Sequence, residues 1–326
     1  MVDDNLPITP SEDEHLPQHQ AKPDIHDLIR KFLGEADVRD NTKNLYGNCL
    51  KKFFAWADKK NIPIGSLTRT EVIDYKKSMG DAGLSSSTVG VNILAIRRFF
   101  DWTASIKLYP AIGAGIKGSK RMPKFKKMHL TLEQLAKWLK WFERKESSHS
   151  LRDIAIANVM ARTGMRTIEI IRANVDDVMM RGGRRVLLVH GKGRDEKDRF
   201  VIITDKCFIS LSAYIRSRKE EGEIMVAGDP LFASDSERNY KERLTTRSIR
   251  RIAKVGLRGI GLNDLIYSAH SIRHTAAVHV LQQGGGIEKA QEMLGHSDPG
   301  TTQIYLESIK EEHRMKNPGE DLLDVF

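Results

Sequence analysis

The sequence is short of cysteine and of long apolar runs, and each shortage excludes a class of protein. Its two cysteines, Cys49 and Cys207, lie far apart and form no CxxC pair, which excludes a disulfide framework and a cysteine-based zinc site. No uncharged apolar stretch approaches the ~18 residues of a membrane-spanning helix, and no apolar leader follows Met1. We therefore expect a cytoplasmic protein without a membrane partner, long enough at 326 residues for about two domains.

Acidic residues are missing from one long stretch, which is rich in positive charge instead. Between Trp102 and Leu132 the chain has no Asp or Glu, and its basic residues, interspersed with glycine and proline, are Lys107, Lys117, Lys120, Arg121, Lys124, Lys126 and Lys127. The whole chain carries a formal net charge of +10. An excess of this size favours a polyanionic partner, since each Lys or Arg placed on a phosphate releases condensed counterions. A solvated basic surface is the alternative.

Periodicity and chain breakers divide the sequence into segments. Residues 1–22 are rich in proline and acid and predict a disordered acidic tail. Four amphipathic patterns within residues 23–106 predict a small helical domain. The breaker-rich basic segment 107–130 predicts a linker. Residues 131–315 combine helical patterns with two β-branched runs around a polar turn, which predicts a domain that is mainly α with a small antiparallel β-sheet. Residues 316–326 form a C-terminal tail.

One predicted helix, within SAHSIRHTAAVHVLQ (268–282), carries an unusual polar face. His270, Arg273 and His274 fall at i, i+3 and i+4, so they share a face opposite Ile272 and Ala276. We expect this face to be accessible and suited to a phosphate near the start of the helix.

Two other chemistries fit these motifs less well. The histidine pair has the spacing of a zinc-binding helix, but Ser271 stands where the metalloprotease motif has its Glu, and no third ligand is evident. The segment HGKG (190–193) lacks the GxxxxGK[ST] spacing of a nucleotide-binding loop.

Five short motifs occur in a fixed order along the chain. They are ARTGMRTIEI (161–170), HGKG (190–193), HSIRHT (270–275), LGHSD (294–298) and TTQIYLE (301–307). Together, over about residues 24–310, they resemble the tyrosine recombinase family of phage integrases and Xer-like proteins. The resemblance implies an active site made of Arg166, Lys192, His270, Arg273, His296 and Tyr305.

The resemblance also implies a role for each residue. Tyr305 would attack a phosphodiester and form a 3′-phosphotyrosine. Arg166, Arg273 and His296 would stabilise the negative charge on the non-bridging oxygens. His270 would take the proton of the tyrosine, whose pKa is ordinarily ~10. Taken alone, Tyr305 would simply pack against its helical neighbours.

Two further positions leave alternatives open. The leaving 5′-oxygen needs a proton, and Lys192 on the turn between the strands would supply it, with Lys197 on the same turn as the competing candidate. Glu169, one helical turn beyond Arg166, either orients an arginine from behind or makes a plain surface ion pair.

The expected architecture is a two-lobed DNA clamp with a helical, SAM-like core-binding domain and an α+β catalytic domain. Residues 84–102 resemble the last helix of the core-binding domain. The expected phosphate contacts are Arg97, Arg98, Lys117, Lys120, Arg121, Lys124, Lys126 and Lys127. Solvated surface charges are the alternative interpretation of the two exposed arginines on the helix.

The resemblance implies a site-specific recombinase that acts on double-stranded DNA with inverted-repeat core sites. It would be a monomer or dimer when free and a homotetramer in the synaptic complex, and it would pass through a Holliday junction, with accessory DNA-bending or directionality proteins as further partners. Neither ATP nor a metal is expected. The C-terminal tail, EDLLDVF (320–326), would dock on a neighbouring protomer or simply fray.

The biological task, integration or excision of a mobile element or dimer resolution, stays open, as does whether Tyr305 serves its own site or a neighbour's. The protein would be nucleoid-associated when acting. The alternatives are a relaxing enzyme similar to type IB topoisomerases and a DNA-binding protein without catalysis.

Overall fold

The structure, a computed structural model, describes residues 24–118, 128–144, 148–191, 196–295 and 300–316, with positions 318 and 321. The chain divides into two compact units, residues 1–122 and 123–326. The division falls within the segment that the sequence predicts as a linker.

The first unit contains the four helices that the sequence predicts. They are α1 (Ile25–Glu35), α2 (Asp40–Lys59), α3 (Arg69–Asp81) and α4 (Ser86–Ser105). The predicted capping box is present at α3, where the backbone N–H of Thr68 donates to Glu71 at 2.7 Å. Asp24 and Ser85 cap α1 and α4 through their side chains. Each cap satisfies amide groups that a helix start leaves without an intrahelical partner.

Aromatic side chains fill the core of the first unit. Phe53 and Phe99 are fully buried, and their rings make edge-to-face contacts with Tyr75 and Phe32 respectively. Edge-to-face pairs add stabilisation beyond the area that they bury.

Both ends of the predicted linker pack onto a unit. In the first unit, Ile116 is buried, Arg69 donates to the carbonyl of Ala114, and the ammonium of Lys76 donates to the carbonyl of Lys117 at 2.7 Å. In the second unit, Leu130 is buried and its N–H donates to Thr275 Oγ1 at 2.8 Å. The segment free to act as a linker is therefore shorter than residues 107–130.

The second unit is mainly helical with one small sheet. Its helices are α5 (Leu132–Glu143), α6 (Ser148–Thr163), α7 (Thr167–Arg172), α8 (Asp205–Glu220), α9 (Thr246–Gly259), α10 (Ala269–Gln282), α11 (Gly286–Leu294) and α12 (Gly300–Lys316). Its strands are β1 (Val178–Arg181), β2 (Arg184–His190) and β3 (Lys197–Ile202). They form an antiparallel sheet in the order β1-β2-β3.

The hairpin of β2 and β3 confirms the two predicted strands, whereas β1 and α7 were not predicted. β1 has four residues, of which three are exposed, so it shows no alternating pattern. It connects to β2 through Gly182 and Gly183, which both have positive φ. No helix in the part of the chain that the structure describes is long and apolar enough to cross a membrane.

Candidate active site

A buried glutamate organises the candidate site. Glu169 on α7 has a side chain with no exposed surface, and its Oε1 accepts a hydrogen bond from Arg166 Nη1 at 2.8 Å. Its Oε2 accepts from the backbone N–H of Arg166 at 2.7 Å and from Arg199 Nη2 at 2.9 Å. The alternative of a plain surface ion pair is therefore wrong, because an exposed pair would leave the carboxylate in water.

Opposing effects set the charge of Glu169. Burial raises the pKa of its carboxyl, but the charge of Arg199, the hydrogen bonds from Arg166 and the charge of Arg273 lower it, and the net direction is down. The carboxylate therefore stays ionised at neutral pH, where it can hold its arginine partners.

Arg273 on α10 is fixed from two sides. Its Nη1 donates to the carbonyl of Gly164 at 2.6 Å, and its Nη2 donates to the carbonyl of Leu294 at 2.8 Å. Gly164 has a φ of +62°, and a Cβ there would lie 2.8 Å from Leu294 Cδ2, so a side chain at this position would be strained and would displace Leu294. Burial and the neighbouring charge of Arg166 lower the pKa of Arg273 to about 10, which leaves the guanidinium charged at neutral pH.

The expectation that the polar face of α10 is accessible to solvent is wrong in part. Arg273 and His274 are 3% and 1% exposed, and residues 271–278 are all buried. The helix is enclosed because α5, α6, α9, α11 and α12 all pack against it. Of the three polar residues on that face, only His270 reaches solvent.

His270 lies beside the two arginines at the start of α10. Although it is exposed, the surrounding protein displaces enough water to lower its pKa, and the charges of Arg273 and Arg166 lower it further. Its imidazole is therefore neutral at neutral pH and can accept a proton.

Tyr305 on α12 meets the same group of charges. It is only 1% exposed and packs against Ala277, Val278 and Leu294. Burial raises its pKa, whereas the charges of Arg273 and Arg166 and a hydrogen bond with Arg273 lower it, with a net rise. Tyr305 thus packs in an apolar cluster and also has its hydroxyl beside Arg273 of its own chain.

Two of the six predicted residues, Lys192 and His296, lie outside the described residues. Lys197, the competing candidate, lies at the start of β3, and its ammonium is 2.5 Å from Asp177 Oδ1. Asp177 is 1% exposed, and its other oxygen accepts the backbone N–H of Asn174 at 2.7 Å. Lys197 is therefore engaged in a partly buried ion pair.

Two features of the second unit were not predicted from the sequence. Arg199 lies on β3, 30 positions from its partner Glu169, and no local pattern signals this contact. The exposed face of α9 presents Arg247, Arg250, Arg251 and Arg258, and the helix has no acidic residue. A count of basic residues along the predicted helix at 245–255 could have found this second feature.

The predicted DNA contacts outside the site fall into three groups. Arg98 and Lys117 are exposed. Arg97 is half-buried rather than exposed, because its aliphatic stem packs against Gly113, where a Cβ would lie 2.9 Å from Arg97 Cγ. The others, Lys120, Arg121, Lys124, Lys126 and Lys127, lie outside the described residues.

Two aromatic rings contact His274, one member of the histidine pair that a zinc site would use. The ring of His274 makes an edge-to-face contact with His129 and a tilted contact with Tyr305, at centroid distances of 5.2 and 4.8 Å. Among the residues that the structure describes, no three His, Cys, Asp or Glu side chains converge on a common point.

Comparison with known families assigns both parts of the chain to family models. Residues 129–312 match the model of the Phage integrase family, and residues 25–107 match that of the phage integrase N-terminal SAM-like domain. The chain belongs to the phage integrase family. Within that family it is a tyrosine-type site-specific DNA recombinase.

Relatives align over most of their length. The chain is 29% identical to tyrosine recombinase XerC of Thermodesulfovibrio yellowstonii, over 85% of this chain and 90% of the relative. It is 27% identical to tyrosine recombinase XerD of Pseudomonas aeruginosa, over 86% and 92% of the two chains.

Solved structures share the fold. XerH recombinase bound to its palindromic difH substrate in a post-cleavage complex matches with a TM-score of 0.71 and 22% identity, over 86% of this chain and 80% of that one. A lambda integrase tetramer bound to a Holliday junction matches with a TM-score of 0.60 and 14% identity, over 86% and 76%. The match confirms the predicted fold class, mainly α with a small antiparallel sheet.

Proposed function

We propose that this recombinase cuts and rejoins DNA through a 3′-phosphotyrosine on Tyr305 and a Holliday junction. The observation that carries the proposal is the arrangement around Glu169. One buried carboxylate holds Arg166, lies 3.9 Å from Arg273, and so gathers two guanidinium groups beside the hydroxyl of Tyr305. More positive than negative charge converges there, which suits a phosphodiester.

The chemistry follows from these positions. The oxygen of Tyr305 attacks the phosphorus, and the bond between phosphorus and the 5′-oxygen breaks. Negative charge develops on the non-bridging oxygens, where Arg166 and Arg273 donate hydrogen bonds. The hydroxyl proton passes to neutral His270. His296 would add a further donor to the phosphate.

The leaving 5′-oxygen takes its proton from a lysine, and we assign that role to Lys192. What supports the choice is the ion pair of Lys197 with Asp177 at 2.5 Å. To reach a 5′-oxygen, the ammonium of Lys197 would have to leave this carboxylate, which would then be buried without its counter-charge.

Tyr305 acts in its own chain in this proposal, since Arg273 of the same chain meets its hydroxyl. Because the side chain is only 1% exposed, α12 must shift before the hydroxyl can reach a scissile phosphate. DNA binding would drive that movement by placing a phosphate on the arginines.

Both units would contribute DNA contacts. Arg98, Lys117 and the exposed arginines of α9 are the described candidates, together with the basic segment up to Lys127. The partner would be double-stranded DNA with inverted-repeat core sites, which two lobes clamp. Four protomers would synapse two such sites, in a cytoplasmic, nucleoid-associated reaction that integrates or excises a mobile element or resolves dimers.

A trapping experiment tests the proposal. Duplexes selected from a randomised pool with the Tyr305→Phe protein would give the binding site, and a nick beside the scissile phosphate would then let the cleaved fragment escape. Wild-type protein should form a denaturant-resistant adduct, and Tyr305→Phe should form none. No adduct with wild type, or an adduct that survives in Tyr305→Phe, would overturn the assignment.

A further inference from the structure

Arg199 occupies the junction between the sheet and two other parts of the site. Its side chain is 16% exposed, and its Nη2 is 2.9 Å from Glu169 Oε2. Its Nη1 donates to the carbonyl of Met293, near the end of α11, at 3.3 Å. One guanidinium on β3 therefore links α7 to α11.

The contact with α11 continues through a glycine. Gly295 ends that helix in the left-handed conformation, with a φ of +61°. A Cβ there would lie 2.4 Å from Arg199 Nε, 2.7 Å from its Cδ and 2.8 Å from its Cζ, so the arginine lies directly across the glycine. Only a residue without a side chain allows this approach.

Two arginines satisfy the end of α11. Arg199 binds the carbonyl of Met293, and Arg273 binds the carbonyl of Leu294. The last carbonyls of a helix lack intrahelical partners and carry its negative dipole end, so cations stabilise them. The backbone turn that leads out of α11 is thereby fixed against Arg273 and Glu169.

We propose that Arg199 is a positioning residue for strand cleavage, which fixes the Glu169 carboxylate and the Gly295 turn against β3 and does not itself bind DNA. The inference rests on the proposed function. Both terminal nitrogens of Arg199 are used inside the protein, whereas Arg166, at 30% side-chain exposure, faces solvent and remains available to a phosphate.

The guanidinium groups around Glu169 then have separate tasks. Arg166, Arg199 and Arg273 reach the carboxylate from the start of α7, from β3 and from α10. Without Arg199, the carboxylate could rotate and take Arg166 with it. Because reacting groups must lie within a fraction of an ångström of their productive positions, a shift of about 1 Å costs about 10²-fold in rate.

The test uses the full-length protein and the nicked substrate, with single-turnover adduct formation and DNA affinity measured separately. Arg199→Ala should slow adduct formation about 10²-fold. The Kd should change by less than about threefold and the salt dependence of binding should stay as in wild type, because Arg199 touches no phosphate. Arg199→Lys, which keeps the charge and one hydrogen bond, should recover part of the rate.

Arg185→Ala provides a matched control. Arg185 lies on β2 of the same sheet and pairs with an exposed carboxylate, Asp205, at 3.0 Å, rather than with Glu169. Its removal should leave the rate of adduct formation unchanged.

Two further variants test the route of the effect. In a Glu169→Gln background, Arg199→Ala should slow the reaction by less than it does in wild type, because the two residues act through one contact. Gly295→Ala should slow cleavage in wild type and do so less in the Arg199→Ala protein, where the Cβ has room. If Arg199→Ala folds poorly, Arg199→Lys and the single Gly295→Ala variant still test the proposal, because both are measured against wild type.

The outcomes separate this inference from the proposed function. If wild type forms no adduct, the proposed function fails. If wild type reacts but Arg199→Ala reacts equally fast, only the positioning role fails. A log-log salt slope that falls by ~0.9 in Arg199→Ala would show a direct phosphate contact and overturn the inference. Fully additive effects with Glu169→Gln would also overturn it.

Discussion

The interiors of the two units differ in kind. Among the described residues of the first unit, no charged side chain is buried, and the core consists mainly of aliphatic and aromatic residues. The second unit buries ions as well, and these are Arg152, Glu169, Asp177, Arg218 and Arg273. Burying an ion costs several kcal/mol unless it is paired. The described part of the first unit thus has no desolvation penalty for buried ions, whereas the second unit does.

The buried arginines of the second unit differ in how closely they are paired with a carboxylate. Arg152 and Arg218 have a carboxylate oxygen at 2.6 and 2.5 Å. Arg273 has Glu169 at 3.9 Å, and this carboxylate also holds Arg166 and Arg199. A buried guanidinium that shares one carboxylate with two other arginines is suited to bind an external anion. A guanidinium that has its own carboxylate contributes to the stability of the fold instead.

The largest expected effect is on the rate of adduct formation, and it comes from replacing Arg273, the buried arginine that shares its carboxylate. Arg273→Ala should lower the rate of adduct formation about 10³-fold, because the variant lacks a donor to the charged transition state. The Kd for DNA, measured by titration, should stay close to that of wild type. Weak binding as the main defect would contradict a mainly catalytic role.

The second prediction concerns the apolar interior. Phe53→Ala should lower the free energy of unfolding of the first unit by about 3 kcal/mol, because it opens a cavity among Phe54, Tyr75 and Phe100. Denaturant unfolding of the full chain measures this. Leu45→Ala on the same helix, at a position 45% exposed, is the control and should change stability far less. Equal effects would contradict the packing described for the first unit.

A third prediction concerns the charge of the site. When the DNA concentration is well below saturation, the pH dependence of the rate reflects the pKa values of the free protein. It should fall about tenfold per pH unit only below the ordinary histidine pKa of about 6.5, since burial, Arg273 and Arg166 lower the pKa of His270. Protonation removes the base, so activity is present above that pKa and lost beneath it. His270→Gln should remove this acid limb, and a limb that persists would exclude His270 as the base.

The smallest effect concerns the basic segment that joins the units. Replacing Lys124, Lys126 and Lys127 with Gln should reduce the log-log salt slope of DNA affinity by ~0.9 for each phosphate that the variant no longer neutralises. The single-turnover rate at saturating DNA should not change. An unchanged slope would mean that this segment does not touch the backbone of DNA.

The sequence predicted the periodic parts of this fold and four residues that the structure brings close together, Arg166, His270, Arg273 and Tyr305. The four amphipathic helices and the β-branched hairpin follow from local patterns, whereas α7 and β1 are too short to show any. Burial of Arg273 was not predictable, because the helical wheel cannot show that five other helices surround α10. The partnership of Arg199 with Glu169 depends on how a strand meets a helix, which no local signal encodes.

The most direct test is to identify the residue that carries the DNA. A covalent complex trapped on the nicked substrate would be digested with protease and nuclease and mapped by mass spectrometry. We expect a nucleotide attached through a 3′-phosphate to Tyr305, in the peptide that contains TTQIYLE. A nucleotide on another residue, such as Tyr267 or a serine, would contradict it.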